Sequence, residues 1–352
     1  MLTVADMTGR VLAAEKFQNR LNYHESTKTA LGAELYYLVK HILDTCGISV
    51  TDFCVNEGKI CAGITGVTTK YDRLIGMRDV WQASSLNKAE VMSTGGIEIE
   101  FTGATRLLCG AALSCHAGSV AMARTEQAIR RVGGWGPLIG DEGSGYWIGS
   151  QVINTLCRIR DGRLSSTSKT KLPQYVREEL QNCPTWQEIS KQYATLRNCN
   201  WVDAFVLLAQ RTRDTKEYRY IVSDLAKAAF RIFDEHPEDE FTREIISCAA
   251  DKLVEQVESA VARADLHAER IPLVLWGGIF RYNRSFCDLV REKIGQKLPL
   301  TTIITPIDSG TMRPAIGALL FALSGSVFSL PSPEIMTRVE QSASQFPALA
   351  ND

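Results

Sequence analysis

The sequence predicts a mixed α/β protein, and three observations carry that expectation. Short apolar runs closed by glycine, such as Pro272–Trp276 before Gly277-Gly278, read as buried strands. Long stretches between them place apolar residues at helical spacing, as Ile245, Ala249, Leu253 and Val257 do. Strands and helices alternate along the chain instead of segregating, which favours an α/β arrangement. At 352 residues the chain is longer than one hydrophobic core usually serves, so two domains are expected.

Taken in order, Thr3–Glu15 reads as two short strands about a Thr-Gly turn. A helix follows, capped by Ser26 or Thr27, with Leu31, Leu35, Leu38 and Val39 as its apolar stripe. Ile60–Val67 reads as a buried strand ending in a glycine-containing loop. Ile97–Phe101 alternates apolar and charged residues and reads as a strand, leading through Thr102-Gly103-Ala104 into a helix over Leu107 and Leu108. Cys115–Met122 is a small-residue turn entering a strand. Tyr146–Leu156 reads as a helix, 158–170 as an exposed connection, and 173–266 as mostly helical, with Leu225, Ala229, Ile232 and Phe233 on one face. Strands are expected over Pro272–Trp276 and Thr301–Pro306, then a helix over Arg313–Ser324. Residues 326–352 read as a loosely held tail.

Composition narrows the function. A formal net charge of −1 gives no support to a nucleic-acid or membrane-surface partner. The start lacks the basic region and apolar run of a signal peptide, and no stretch reaches the roughly 18 apolar residues of a membrane helix. A cytoplasmic protein is expected. The ten cysteines form no CxxC pair and only five histidines accompany them, which disfavours a zinc site and favours buried free thiols.

The most informative stretch is Gly133–Trp147, where six glycines fall within thirteen residues among Asp141, Glu142, Ser144 and two tryptophans. Glycine serves where backbone bends through positive φ or lies close against another group. A simple turn needs one or two, so the stretch reads as a backbone-walled cleft into which Asp141 and Glu142 project. Asp141 suits sugar hydroxyls, and Trp135 between Gly134 and Gly136 offers a flat face to a sugar ring. The structural alternative makes Trp135 a core residue and Asp141 a helix N-cap. Gly118-Ser119 could present amides and a hydroxyl to phosphate oxygens or equally form a tight hairpin, and Gly277-Gly278 permits close approach of a flat group or simply closes a strand. There is no GxxxxGK[ST] loop, no strand–GxGxxG–helix unit and no GxSxG elbow.

The block Gly133-Gly134-Trp135-Gly136…Gly140-Asp141-Glu142-Gly143-Ser144-Gly145-Tyr146-Trp147 resembles the signature of N-acetylglucosamine kinases, within the BadF/BadG/BcrA/BcrD ATPase family. The order of Asn22, Ala62-Gly63, Gly118-Ser119, the block itself, Gly277-Gly278 and Pro314–Ala318 is similar too. The resemblance implies an actin-like (ribonuclease H-like) ATPase fold with two lobes around a cleft, over 1–105 and 106–325. It implies that Asn22, Thr65, Gly134, Trp135, Gly136 and Asp141 hold an amino sugar. It further implies that Gly118, Ser119, Ser223, Gly277 and Gly278 hold ATP, that Mg2+ accompanies the nucleotide, and that a homodimer can form. The implied reaction moves the γ-phosphoryl group of ATP to the 6-hydroxyl of N-acetylglucosamine.

The sequence departs from that pattern in three places. It starts where the family's second strand would, without the glycine-rich first phosphate motif, so the first lobe is expected to be incomplete. The family's catalytic aspartate is matched to Gly103. The GTGS phosphate motif reads His116-Ala117-Gly118-Ser119, with Ala111–Ser114 standing for a full strand before it. Asp6 and Glu100 are the nearest carboxylates by sequence; Glu100 is expected in a strand, as a surface or paired group. These departures imply little or no kinase activity, with a non-catalytic sugar-binding or regulatory protein as the alternative. Another ATPase of the same fold would need iron–sulfur ligands or a partner subunit, and the scattered cysteines offer no cluster spacing.

Overall fold

In the computed structural model, residues 1–17, 21–23, 26–67, 71–164, 170–184, 216–266, 270–298, 302–307 and 313–350 are described, with 69, 186–188, 191, 202, 203, 205 and 206 between them. The expected connection at 158–170 and the helical stretch from 173 lie partly outside these residues. The chain opens with the expected hairpin, β1 (Leu2–Ala5) pairing antiparallel with β2 (Val11–Glu15). Helix α1 (Lys28–Thr45) follows, and Thr27, not Ser26, caps it by accepting from the Ala30 amide. Its predicted stripe of Leu31, Leu35, Leu38 and Val39 is buried.

A short helix α2 (Val50–Val55) leads to β3 (Lys59–Gly63), shorter than the run expected to Val67. A π-helical turn at Asp72–Gly76 and helix α3 (Met77–Ala83) then lead to β4 (Glu90–Thr94), a strand the sequence did not announce. β3 and β4 are parallel, so the first part of the chain contains two separate two-stranded sheets.

The expected strand at Ile97–Phe101 is instead part of helix α4 (Gly96–Thr105). Its period-two alternation misleads because Ile97, Glu98 and Phe101 are all buried, so the helix has no polar face to betray its period. The Glu98 carboxylate, at the third helical position, accepts from the Gly95 amide and starts the helix. The helix expected over Leu107 and Leu108 is absent; α4 stops at Arg106, which has φ 58°.

A five-stranded sheet forms the main core. Its order is β7-β6-β5-β8-β9, with β5 (Gly110–Cys115), β6 (Ser119–Arg124), β7 (Ile129–Gly133), β8 (Pro272–Trp276) and β9 (Thr302–Ile304). β5 is antiparallel to β6 and parallel to β8. Ala111–Ser114 is therefore a central strand, fully buried, and not a gap. One face packs on α4, where Ile97 and Phe101 meet Ala112, Met122, Val274 and Trp276. The other face meets α5 (Gly145–Arg160), α6 (Leu172–Leu180), α7 (Lys216–Asp224), α8 (Ala226–Glu235), α9 (Glu240–Arg263) and, after the short α10 (Gly278–Tyr282), α11 (Arg284–Lys297).

Helix α12 (Pro314–Ser324) returns to α4, β1 and β3. The tail is not loosely held: α13 (Pro333–Ala343) and α14 (Pro347–Ala350) bury Val339, Ala343 and Leu349 against Val11, Ile316 and Leu320. The expectation of buried thiols holds only in part, since of the described free cysteines only Cys115 and Cys287 are buried. No described helix is long and apolar enough to cross a membrane.

Candidate active site

The C-terminal ends of parallel strands are where α/β sheets place ligands, and both sheets bring expected residues there. Beyond β3, Thr65 forms an isolated bridge with Asn22, and the Tyr23 amide donates to the Thr65 carbonyl at 2.9 Å. The two expected sugar-side residues are thus adjacent. The same loop is tied to the end of β4, since the Ile64 amide donates to the Thr94 carbonyl at 3.1 Å. A Cβ on Gly95 would lie 3.1 Å from the Val67 carbonyl oxygen.

The second group surrounds the β5–β6 turn. The His116 amide closes it by donating to the Gly118 carbonyl at 2.8 Å, and the Gly278 amide reaches His116 Nδ1 at 3.2 Å. The Gly145 amide, at the start of α5, donates to the His116 carbonyl at 2.9 Å. A Cβ on Gly145 would lie 2.5 Å from Ser223 Oγ, so Ser223 belongs to the same cluster. Gly118, Ser119, Ser223, Gly277 and Gly278 are therefore brought together. Gly278 presents open backbone, for a Cβ there would have nothing nearer than 3.8 Å.

The glycine stretch is rigidly fastened. Ser119 Oγ donates to the Glu142 carbonyl at 2.7 Å, and Gln256 Nε2 donates to the same carbonyl at 3.0 Å. Ser144, not Asp141, caps α5 by accepting from the Trp147 amide. Gly134 and Gly136 stand at φ 68° and 86°, a reversal that lifts Trp135 out of the core. Trp135 is 65% exposed, with the Arg131 guanidinium 5.9 Å from its ring centroid. The ring face is accessible, which excludes the core reading.

Asp141 does not project into an open cleft. It is 2% exposed and pairs with Arg219 Nη2 at 3.0 Å, while the Gly136 and Ser119 amides also hydrogen-bond its carboxylate. Burial pushes its pKa up, against the downward pull of Arg219 and the two amides. The ion pair lies directly over Gly118, where a Cβ would be 2.6 Å from Arg219 Nη2 and 2.7 Å from Asp141 Oδ2. Gly118 is thus explained by this close approach. Arg219, four residues before Ser223 on α7, was findable from that face of the helix but not from any motif.

Gly103 is in the last turn of α4 and not after a strand. A Cβ there would lie 2.3 Å from the Arg313 carbonyl oxygen, so Gly103 lets α4 and α12 cross. The strand-to-helix junction falls at Thr94-Gly95-Gly96. Two carboxylates gather near it. Glu98, 2% exposed, is held by Arg73, Thr94 Oγ1 and the Gly95 amide. Glu100 points back along α4, so that a Cβ on Gly96 would lie 3.5 Å from its Oε1. The strand reading of Glu100 is overturned with that of its segment. Its Oε2 is buried with no hydrogen-bond partner, and burial pushes its pKa up to about 8, with Glu98 adding to the rise and the Ser114 hydroxyl opposing it.

A groove of about 1080 Å³ opens between β4 and β7, lined by Arg73, Arg78, Arg130 and Arg131 and, among the described residues, by no carboxylate. It contains none of the residues expected to bind sugar or nucleotide. Arg131 nevertheless joins it to the glycine stretch by donating to the Gly134 carbonyl at 2.5 Å. Among the described residues no group of three His, Cys, Asp or Glu side chains could hold a metal.

The sequence profile of the BadF/BadG/BcrA/BcrD ATPase family matches residues 81–322, which span the five-stranded sheet and the fastened glycine stretch. The chain belongs to this family. Membership of the BadF/BadG/BcrA/BcrD ATPases implies the use of ATP. This family member is 26% identical over 312 residues to the N-acetyl-D-glucosamine kinase of Dictyostelium discoideum, covering 86% of this chain and 88% of that one. It is 30% identical over 161 residues to the N-acetylmuramic acid/N-acetylglucosamine kinase of Clostridium acetobutylicum, covering 44% and 48%. Its fold is similar to that of a candidate N-acetylglucosamine kinase from Chromobacterium violaceum, with a TM-score of 0.56, 16% identity, and 88% and 87% coverage. A second such structure, from Porphyromonas gingivalis, has a TM-score of 0.55 at 13% identity and covers 92% and 94%. These structural likenesses bear out the actin-like α/β fold.

Proposed function

We propose that this family member is an ATP-dependent sugar kinase that phosphorylates the 6-hydroxyl of N-acetylglucosamine. The observation that carries the proposal is the sequence likeness to the Dictyostelium kinase along most of both chains. The geometry supports it. Asn22 and Thr65 pair at the end of β3 and offer polar partners for substrate hydroxyls, and the exposed ring of Trp135 offers an apolar face for stacking. Gly118, Ser119, Ser223 and Gly278 meet at the ends of β5 and β8, and the open backbone of Gly278 leaves room there for a nucleotide to approach.

ATP supplies the transferable phosphoryl group; this chain positions its partner and excludes water. The residues described form no protein cage for Mg2+, and such ions are commonly held by one or two carboxylates together with substrate phosphates. In this reading Asp141 acts by fixing the glycine stretch through Arg219 instead of holding the sugar itself. A coupled ADP-release assay with N-acetylglucosamine tests the proposal. Sugar-dependent ADP release above background is expected; none overturns it.

The second reading is a non-catalytic amino-sugar-binding or regulatory protein. One observation favours it: the Ser119 hydroxyl, expected at phosphate, is spent on the Glu142 carbonyl. It predicts that N-acetylglucosamine raises the melting temperature while ATP does not. Equal stabilisation by ATP would count against it.

A further inference from the structure

The carboxylates near the site differ in what they have left to do. Asp141 is committed to Arg219 and two amides, and Glu98 to Arg73, Thr94 and Gly95. Asp72 accepts from the amide and hydroxyl of Thr69 at 2.7 and 2.8 Å. Glu100 alone among these four carries a buried oxygen with no partner.

Its position is equally distinctive. The side chain runs back along α4 to Gly96, at the junction that the Asn22–Thr65 loop touches through Thr94 and Gly95. On its other side it meets the Ser114 hydroxyl, two residues before His116 and its turn, on the strand that pairs Ser114 with Trp276 just ahead of Gly277. Glu100 thus stands between the sugar-side pair and the nucleotide-side turn. A carboxylate is only a partial liability there, because phosphoryl transfer to a hydroxyl requires a group that accepts the hydroxyl proton.

We propose that Glu100 is the general base of this protein, taking the proton from the acceptor hydroxyl of the sugar. The inference rests on the kinase reading above. In the step, the sugar oxygen bonds to the γ-phosphorus of ATP, the bond from that phosphorus to the ADP oxygen breaks, and the hydroxyl proton passes to the Glu100 carboxylate. Glu100 then returns the proton to solvent. Gly103 has no part in the chemistry; the base comes instead from one turn earlier on the same helix.

The burial that leaves Oε2 unpartnered also sets the working range. With its pKa pushed up to about 8, Glu100 is mostly protonated at neutral pH and becomes an active base as pH rises. kcat/KM should therefore rise about tenfold per pH unit toward a plateau above pH 8. Ser114→Ala removes the hydroxyl that favours the charged form, so it should move this limb to higher pH.

The deciding experiment compares wild type, Glu100→Gln and Ser114→Ala in the ADP-release assay across pH 6–10, with melting curves over the same range. Expected for Glu100→Gln is a loss of roughly 10²–10⁴-fold in kcat with little change in KM, and loss of the alkaline-rising limb. A readout without substrate accompanies it. The folded pKa lies above the unfolded one, so the stability Glu100 contributes is present below its unfolded pKa of 4.5 and is lost as pH rises through about 8. Glu100→Gln should remove that part of the fall in melting temperature. Wild-type turnover with Glu100→Gln activity within threefold, or a limb unmoved by Ser114→Ala, overturns the role of Glu100 and leaves the kinase reading intact. No sugar-dependent turnover by wild type overturns both.

Discussion

Asp141 shows how little a motif says about a side chain's duty. In the sequence it is a carboxylate in a glycine-walled stretch, well suited to sugar hydroxyls. In the structure it is buried and joins three separated pieces of chain, namely the Gly136 turn, the start of β6 and α7. Removing one partner of a buried pair leaves the other charge uncompensated and costs about 3–5 kcal/mol. Because Arg219 is 28% exposed and can rehydrate, Asp141→Ala should cost roughly 3 kcal/mol, at the lower end of that range. Urea unfolding would measure it. Arg219→Ala leaves the buried Asp141 without its counter-charge and should cost at least as much, and the double variant should fall well short of the sum. Trp135 is the opposite case. Its exposed ring contributes little to stability, so Trp135→Ala should leave the unfolding midpoint nearly unchanged while weakening the melting shift produced by N-acetylglucosamine.

Among the elements, α4 decides most. Its alternating Ile97-Glu98-Ile99-Glu100-Phe101 looks like a half-exposed strand, and no local pattern corrects that reading because both kinds of side chain are buried by different neighbours. A Gly-Gly start followed by Glu at the third helical position was the one available signal of a helix. The crossing of α4 with α12 is equally invisible in sequence. A Cβ on Gly317 would lie 2.1 Å from the Ile99 carbonyl oxygen, and one on Gly103 2.3 Å from that of Arg313. Backbone on both sides leaves no flexible atom to yield. Gly103→Asp, which places an aspartate at the position matched by sequence, should therefore raise no activity and should destabilise by about 1–3 kcal/mol or more. Thermal melting and the ADP-release assay together check this. Activity gained by that variant would show that α4 packs differently.

Across the whole molecule, the ends of the chain meet. Helices α13 and α14 cover the β1–β2 hairpin and α12, burying Val339 and Leu349 completely. Burial of such side chains contributes about 1.5–3 kcal/mol each. Deleting residues 331–352 should thus expose Val11 and Leu320, lower the unfolding midpoint and make the N-terminal hairpin sensitive to protease. An unchanged midpoint would mean that the tail packs only weakly. The segment looked loose in sequence because its Ser/Pro-rich entry masks a short apolar stripe, and only the hairpin from the other end of the chain gives that stripe a partner.

The sequence by itself determined the α/β class, most strands of the main sheet, the family and the identity of the residues gathered at the strand ends. Those features rest on local periodicity, glycine placement and a contiguous motif, all of which survive without knowledge of the fold. Tertiary structure alone decided which carboxylate is spent and which is left over. Asp141 and Arg219 are 78 positions apart, and Glu100 meets Ser114 only because α4 lies across the sheet. Hydrogen bonding and desolvation act through space, so the difference between a structural carboxylate and a candidate base is set by neighbours that no spacing along the chain records.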